Sequence, residues 1–145
     1  MCDIIQLSAQ DAPQMAMLYE HCFEDTWDVS FFEAKLQTSC LGYGSFKEQM
    51  LIGFILLQVV KDEGEILTFC VQKKERKKGL GTSILKFCLK QSKILTCFLE
   101  VNSKNLEAIT LYKQQNFIEN SLRINYYTRI NGDPEDAIIY RYSKK

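Results

Sequence analysis

The residues best suited to chemistry lie between positions 66 and 112 of a 145-residue chain. An apolar run, Ile66-Leu67-Thr68-Phe69-Cys70-Val71, meets the basic stretch Gln72-Lys73-Lys74-Glu75-Arg76-Lys77-Lys78, and Gly79-Leu80-Gly81-Thr82 follows at once. Without a Cβ at Gly79 and Gly81, backbone amides can approach an anion closely, and the helix that opens there adds the positive end of its dipole. Cations crowd the same point, so the chemistry predicted is the binding of a polyanion, phosphate above all. Farther on, Glu100 is the single acid in Ile94-Leu95-Thr96-Cys97-Phe98-Leu99-Glu100-Val101. An ionised carboxylate is costly to bury, so Glu100 either lies at the wet end of its strand or is kept for proton transfer. Asn105, Ile109 and Tyr112 are spaced i, i+4, i+7 and share one helix face, which lets an amide and a phenol line a groove beside Glu100. Taken alone, Tyr112 reads more often as an ordinary half-buried aromatic.

Two common glycine motifs do not fit. A dinucleotide fingerprint needs a third glycine where Ile84 stands, and a P-loop needs four residues between its glycines followed by Lys-Ser/Thr. Without a ligand, the loop would be a tight turn with a solvated basic flank.

The positioning elements can be read from periodicity. Asp3–Leu7 reads as a first strand, and Asp11-Ala12-Pro13 opens a helix through Met15, Leu18, Tyr19 and Cys22. Asp28 or Ser30 caps a second helix carrying Phe31, Phe32, Ala34 and Leu36. Segments 41–46, 51–60 and 65–71 are strand-like, joined by Lys47-Glu48-Gln49 and Lys61-Asp62-Glu63-Gly64, and make an antiparallel meander. After the glycines, Leu80, Ile84, Leu85, Cys88 and Leu89 recur at helical spacing. The continuous run 94–101 predicts a strand buried on both faces. A helix over 104–115 precedes strands near 117–127 and 137–142, joined through Asn131-Gly132-Asp133-Pro134. The order β-α-α-β-β-β-α-β-α-β-β combines a meander with a parallel crossover, so the sheet is mixed and the class α+β.

Composition bounds the rest. With 46% hydrophobic and 25% charged residues, one globular domain over 1–145 is expected. No apolar run approaches the roughly 20 residues of a spanning helix, and Met1-Cys2-Asp3 does not open a signal peptide. Cys2, Cys22, Cys40, Cys70, Cys88 and Cys97 form no C-x-x-C pair, and His21 is the only histidine, so reduced thiols in a cytoplasmic protein without a metal are expected. Net charge is zero but segregated. Residues 1–34 carry seven acids and no Lys or Arg, whereas 73–93 carry eight Lys or Arg against Glu75 alone. Such asymmetry steers an anion to one side and a basic partner to the other, unless each run is simply a solvated face. The basic stretch has no interleaved aromatics, which argues against direct nucleic-acid binding.

Arg76-x-x-Gly79-x-Gly81, between a fourth strand and a third helix, resembles the pyrophosphate loop of the GNAT acetyltransferases. Leu99-Glu100-Val101-x-x-x-Asn105-x-x-Ala108-Ile109-x-Leu111-Tyr112-x-x-x-x-Phe117 resembles the RimI branch of that family, which acetylates N-terminal amines of ribosomal proteins. Thr26-Trp27, Arg123-Ile124-Asn125-Tyr126-Tyr127 and Glu135-Asp136-Ala137-Ile138-Ile139 are similar to that branch too. The resemblance implies a three-layer α/β/α fold whose mostly antiparallel sheet contains a splayed pair of strands holding acetyl-coenzyme A. It implies that backbone groups of Phe69, Cys70 and Val71 pair with the pantetheine arm. Arg76, Lys77, Lys78, Gly79, Leu80, Gly81 and Thr82 would hold the pyrophosphate, with Asn105 also at the cofactor. Glu100 would be the base, through water, and Tyr112 the acid for the departing thiolate, while a backbone N–H near Cys70 or Val71 would stabilise the oxyanion. Cys70 itself reads as a packed strand residue rather than a nucleophile, because its motif contains no histidine to activate a thiol. The acidic helices would attract the basic tail of a ribosomal acceptor. The alternatives are a small amine or lysine side chain as acceptor, or a coenzyme A-binding module without turnover. Three departures stand out: Asn116 where the branch has Gly, Asn102 for a frequent Arg, and Gln72-Lys73-Lys74 for an Asp-Pro segment. Asn116 should accept a left-handed helix end, where Asn is second only to Gly.

Overall fold

Alternating and continuous apolar segments assemble a seven-stranded sheet between two helical layers in this computed structural model, which describes residues 3–127 and 132–144. Cys2 and Asn131, named above, lie outside the described residues. In chain order the elements are β1 (Ile5–Gln6), α1 (Ala12–Cys22), α2 (Val29–Leu36), β2 (Cys40–Lys47), β3 (Met50–Val60), β4 (Glu63–Val71), α3 (Leu80–Gln91), β5 (Thr96–Asn102), α4 (Leu106–Gln114), β6 (Ile118–Tyr127) and β7 (Glu135–Ser143). Their succession is the one read from sequence. The strands lie in the order β1-β2-β3-β4-β5-β7-β6, and only the β4–β5 pair is parallel. No helix among the described residues is long and apolar enough to cross a membrane.

Local chemistry explains the joints. Asp28 caps α2, its Oδ1 accepting from the Phe31 N–H at 2.9 Å. Between β2 and β3, Glu48 and Gln49 both have positive φ, the paired left-handed residues of a tight hairpin turn. Asn116 sits at φ 70 just past α4, as its side-chain chemistry led us to expect.

β3 runs through the middle and is buried on both sides. Phe54 and Leu56 face α1 and α2 with Met15, Leu18 and Phe32, while Ile55 and Leu57 face α3 with Ile84, Leu85 and Cys88. β5 corrects the expectation of two buried faces. Cys97, Leu99 and Val101 are buried in the α3 core, but the alternate residues, Glu100 among them, are only half-buried. The reason is coverage: α1 and α2 pack over β2, β3 and β4, and leave that side of β5 to the β6–β7 hairpin.

One irregularity shapes the centre of the sheet. Leu56 is opposite Thr68 and Leu57 opposite Ile66, so Leu67 bulges out of the β3–β4 ladder. A bulge bends its strand and increases its twist. On its other edge β4 pairs with β5 only from Glu63↔Thr96 to Ile66↔Leu99, while β5 stays on β7 as far as Asn102↔Ala137. The parallel strands therefore part where the bulge begins, leaving a V-shaped gap between Leu67–Val71 and Glu100–Asn102.

Candidate active site

That gap opens onto a cavity of about 380 Å³, most of it on the α3 side. Its floor is β4, its sides are the glycine loop with the start of α3 and the inward face of α4. Gly79 precedes α3 at φ 87, a left-handed conformation, and a Cβ there would meet nothing within 4 Å. A Cβ on Gly81 would stand 3.6 to 3.8 Å from Leu111, Val71 and Phe69, three residues of the cavity wall. Glycine at 81 thus keeps the helix start open to whatever lies in the cavity.

The backbone edge of β4 can be assigned from its register. Gln72 donates its N–H to the Ile52 carbonyl at 2.8 Å, so it points at β3. Backbone groups alternate along a strand, so the N–H and C=O of Cys70 also turn to β3, and those of Phe69 and Val71 turn to the gap. Between the two residues considered for an oxyanion donor, Val71 is the one whose amide faces the opening. Arg76 braces this edge, its Nε donating to the Val71 carbonyl at 2.9 Å.

Of the residues singled out from sequence, Phe69, Val71, Arg76, Lys77, Gly79, Gly81, Thr82, Asn105 and Tyr112 line the cavity together. Cys70, Lys78 and Leu80 do not. Cys70 is 1% exposed and packs towards α1, Leu80 belongs to the α3 core, and Lys78 reaches Glu75 at 3.8 Å. Asn105 also caps α4, its Oδ1 accepting from the Ala108 N–H at 3.2 Å. Tyr112 packs between Phe69 and Phe117. Burial, with smaller contributions from the Cys97 and Cys70 thiols, raises the Tyr112 phenol far above the ordinary tyrosine range, so it keeps its proton at neutral pH.

Glu100 is the exception to the shared groove predicted from spacing. It points from the face of β5 opposite to Cys97, Leu99 and Val101, and so away from the core that holds Tyr112. Helical spacing reports which residues share a helix face, whereas strand alternation decides the side of the sheet. Tyr112 lines the cavity and Glu100 does not; Glu100 stands on the other side of the sheet, where β4 and β5 part. On its own side Glu100 meets Arg123 Nη1 at 3.5 Å and accepts from the Tyr127 hydroxyl at 3.4 Å. Arg123 in turn lies over the Tyr126 ring. Burial first, and then the Glu100 charge, raise the Tyr127 phenol, which stays a donor to the carboxylate.

Several site residues were not assigned from sequence. Ala108 and Leu111 flank Tyr112 on α4 and carry a signal in their helical spacing. Cys22 and Phe23, at the end of α1, enter the same wall from a distant part of the chain and carry none. Asn102, at a position where Arg was the usual residue, binds Glu135 at 2.9 Å and accepts from the Lys104 N–H at 2.9 Å, fixing the approach to α4. No group of side chains able to hold a metal ion is found among the described residues.

Comparison with known proteins agrees with this geometry. Residues 6–117 match the model of the acetyltransferase (GNAT) family. The chain is 29% identical to the [ribosomal protein bS18]-alanine N-acetyltransferase of Escherichia coli K12, over 94% of this chain and 93% of that protein. It is 32% identical to an N-alpha-acetyltransferase of Sulfolobus acidocaldarius, over 94% of this chain and 82% of the relative. The crystal structure of the E. coli ribosomal-protein-S18-alanine N-acetyltransferase superposes with a TM-score of 0.89 at 28% identity, covering 99% of this chain and 94% of that one. With the mixed sheet, the parted parallel strands and the glycine-opened helix in place, the chain belongs to the GNAT family of acetyltransferases.

Proposed function

We propose that this N-acetyltransferase moves an acetyl group from acetyl-coenzyme A to the α-amino group of a small-subunit ribosomal protein that begins with alanine, in the cytoplasm. The cavity suits that carrier: the outward backbone groups of Phe69 and Val71 can pair with an amide-bearing arm. Arg76, Lys77 and the amides from Gly79 to Thr82 suit a diphosphate, and Gly81 leaves the room. When bound, the carrier supplies an activated thioester.

Glu100 takes a proton from the incoming ammonium, directly or through water. The Val71 N–H, aimed into the gap, offers a hydrogen bond to developing negative charge. Tyr112 holds a proton at its hydroxyl for release to the departing sulfur. An α-amine, with a pKa near 8 against about 10.4 for lysine, is neutral at pH 7 roughly a few hundred times more often, so a modest base suffices. One observation carries the reading: the parallel ladder ends at Ile66↔Leu99, and the gap left beyond it would let base and phenol act on one substrate from opposite sides of the sheet.

Attraction of a basic acceptor by the acidic N-terminal helices has a narrower basis than charge counting suggests. Asp25 accepts from the Tyr19 hydroxyl at 2.9 Å and Asp28 caps α2, so of these three exposed acids Glu24 is the one whose charge reversal disturbs neither contact.

The decisive experiment incubates purified small-subunit ribosomal proteins with enzyme and acetyl-coenzyme A and measures intact masses. One acetyl addition on one protein, mapped to its first residue, is expected. Modification confined to lysine side chains or free polyamines would overturn the acceptor assignment.

A further inference from the structure

Cys22 stands in the wall of the cavity but has no part in the transfer just described. It ends α1, half-buried, with its Sγ 3.6 Å from Arg76 Nη2 and its thiol directed at the Val71 carbonyl at 3.8 Å. Across the α1–β4 packing lies Cys70, in the same apolar cluster as Cys22 and next in the chain to the Val71 that Cys22 meets, with its Sγ 3.8 Å from the Thr68 hydroxyl. The two thiols differ sharply. Hydrogen bonding with Cys70, and then the charges of Arg76 and His21, hold the Cys22 thiol below the ordinary range against its own burial. Burial holds Cys70 well above that range. A thiolate that a small solute can reach, beside a cation and backed by a buried protonated thiol, has the asymmetry of an attacking and a resolving cysteine.

We propose that Cys22 and Cys70 form a peroxide-sensitive pair, with Cys22 the site of oxidation and Cys70 the resolving thiol. The Cys22 thiolate attacks one oxygen of hydrogen peroxide. An S–O bond forms, the O–O bond breaks, and the leaving hydroxide takes up a proton as water. The Cys70 sulfur then attacks the sulfenic sulfur. The S–S bond forms, the S–O bond breaks, and the oxygen leaves as a second water with the Cys70 proton. Two thiols are oxidised to a disulfide and one peroxide is reduced; a thiol such as glutathione reverses the change. The bond would tie the end of α1 to β4 beside Val71 and draw Cys22 away from Arg76. That shift disturbs the edge assigned to the carrier, and this consequence alone rests on the proposed function.

The test treats folded protein with hydrogen peroxide, blocks free thiols with iodoacetamide and maps the peptides without reduction. A linked Cys22–Cys70 peptide is expected, lost after dithiothreitol. In Cys70→Ser, Cys22 is expected to proceed to the sulfinic acid instead. Activity of each variant is compared with its own untreated sample, and Cys22→Ser is expected to need at least about tenfold more peroxide for the same loss. A Cys22 that remains a free thiol while Cys88 or Cys97 oxidises would overturn the proposal, as would loss of activity in Cys22→Ser at the wild-type dose. Adding acetyl-coenzyme A separates the two readings. Disulfide formation undiminished by saturating carrier supports the pair and removes the carrier from this cavity, whereas shielding of Cys22 from iodoacetamide by carrier, with no disulfide under peroxide in the carrier-free protein, does the opposite.

Discussion

The two faces of the sheet at the β4–β5 gap are built differently. On the α3–α4 face, a concave cavity is lined by the glycine loop and buried aromatics, and the proposed proton donor, Tyr112, is 6% exposed. On the opposite face, Glu100 is held by Arg123 and Tyr127 on a two-stranded hairpin, with Arg123 more than half exposed. Groups packed in a core cannot reorient, which suits a ligand that is always the same. An exposed ion pair contributes at most about 1 kcal/mol and exchanges partners readily, which suits an acceptor whose ammonium can replace the guanidinium. On the proposed function, the contrast teaches that carrier recognition is built into the fold, while acceptor recognition rests on side chains free to move.

Three substitutions test that division, the largest effect first. Glu100→Gln keeps shape and removes the proposed base; kcat/KM is expected to fall roughly 10²- to 10⁴-fold while calorimetry shows unchanged acetyl-coenzyme A affinity. A variant with both properties altered would mean that the faces are not separable. Tyr112→Phe is expected to lower kcat about 10²-fold without loss of stability, because no protein group among the described residues hydrogen-bonds its hydroxyl. Its pH dependence carries a sign. Burial raises the folded-state pKa of Tyr112, so the unfolded chain releases that proton near the ordinary value of 10.0 while the folded chain keeps it. Stability is therefore intact below about pH 10 and declines as pH rises beyond it, and Tyr112→Phe should make the decline shallower by one proton in urea titrations. An identical slope in both proteins would refute the burial argument. Gly81→Val, which fills space between the helix start and Leu111, should weaken acetyl-coenzyme A binding about tenfold and leave the acceptor KM alone.

Much of this was readable in the chain because it is local. Gly79 and Gly81 after a basic run, the solitary acid at Glu100, and Asn105 with Tyr112 on one helix face are neighbours in sequence or within two helical turns. Backbone geometry and helical periodicity act over that range. The left-handed Asn116 belongs to the same class. What could not be read is what distant segments do to one another. The run 94–101 looks doubly buried, yet its second face stays half open because α1 and α2 cover β2 to β4 instead. Cys22 enters the cavity from 49 positions before Val71. Arg123 meets Glu100 only because β7 lies between β6 and β5.

Residue types and short-range spacing by themselves determined the elements, their order, and the candidate anion site, acid and base, since each depends on bonds within a few residues. The side of the sheet from which Glu100 and Tyr112 approach was decided only by the assembled structure. The bulge at Leu67 parts two strands whose ladder would otherwise close the sheet, and a gap between chain segments is a property of their packing, which neither segment encodes alone.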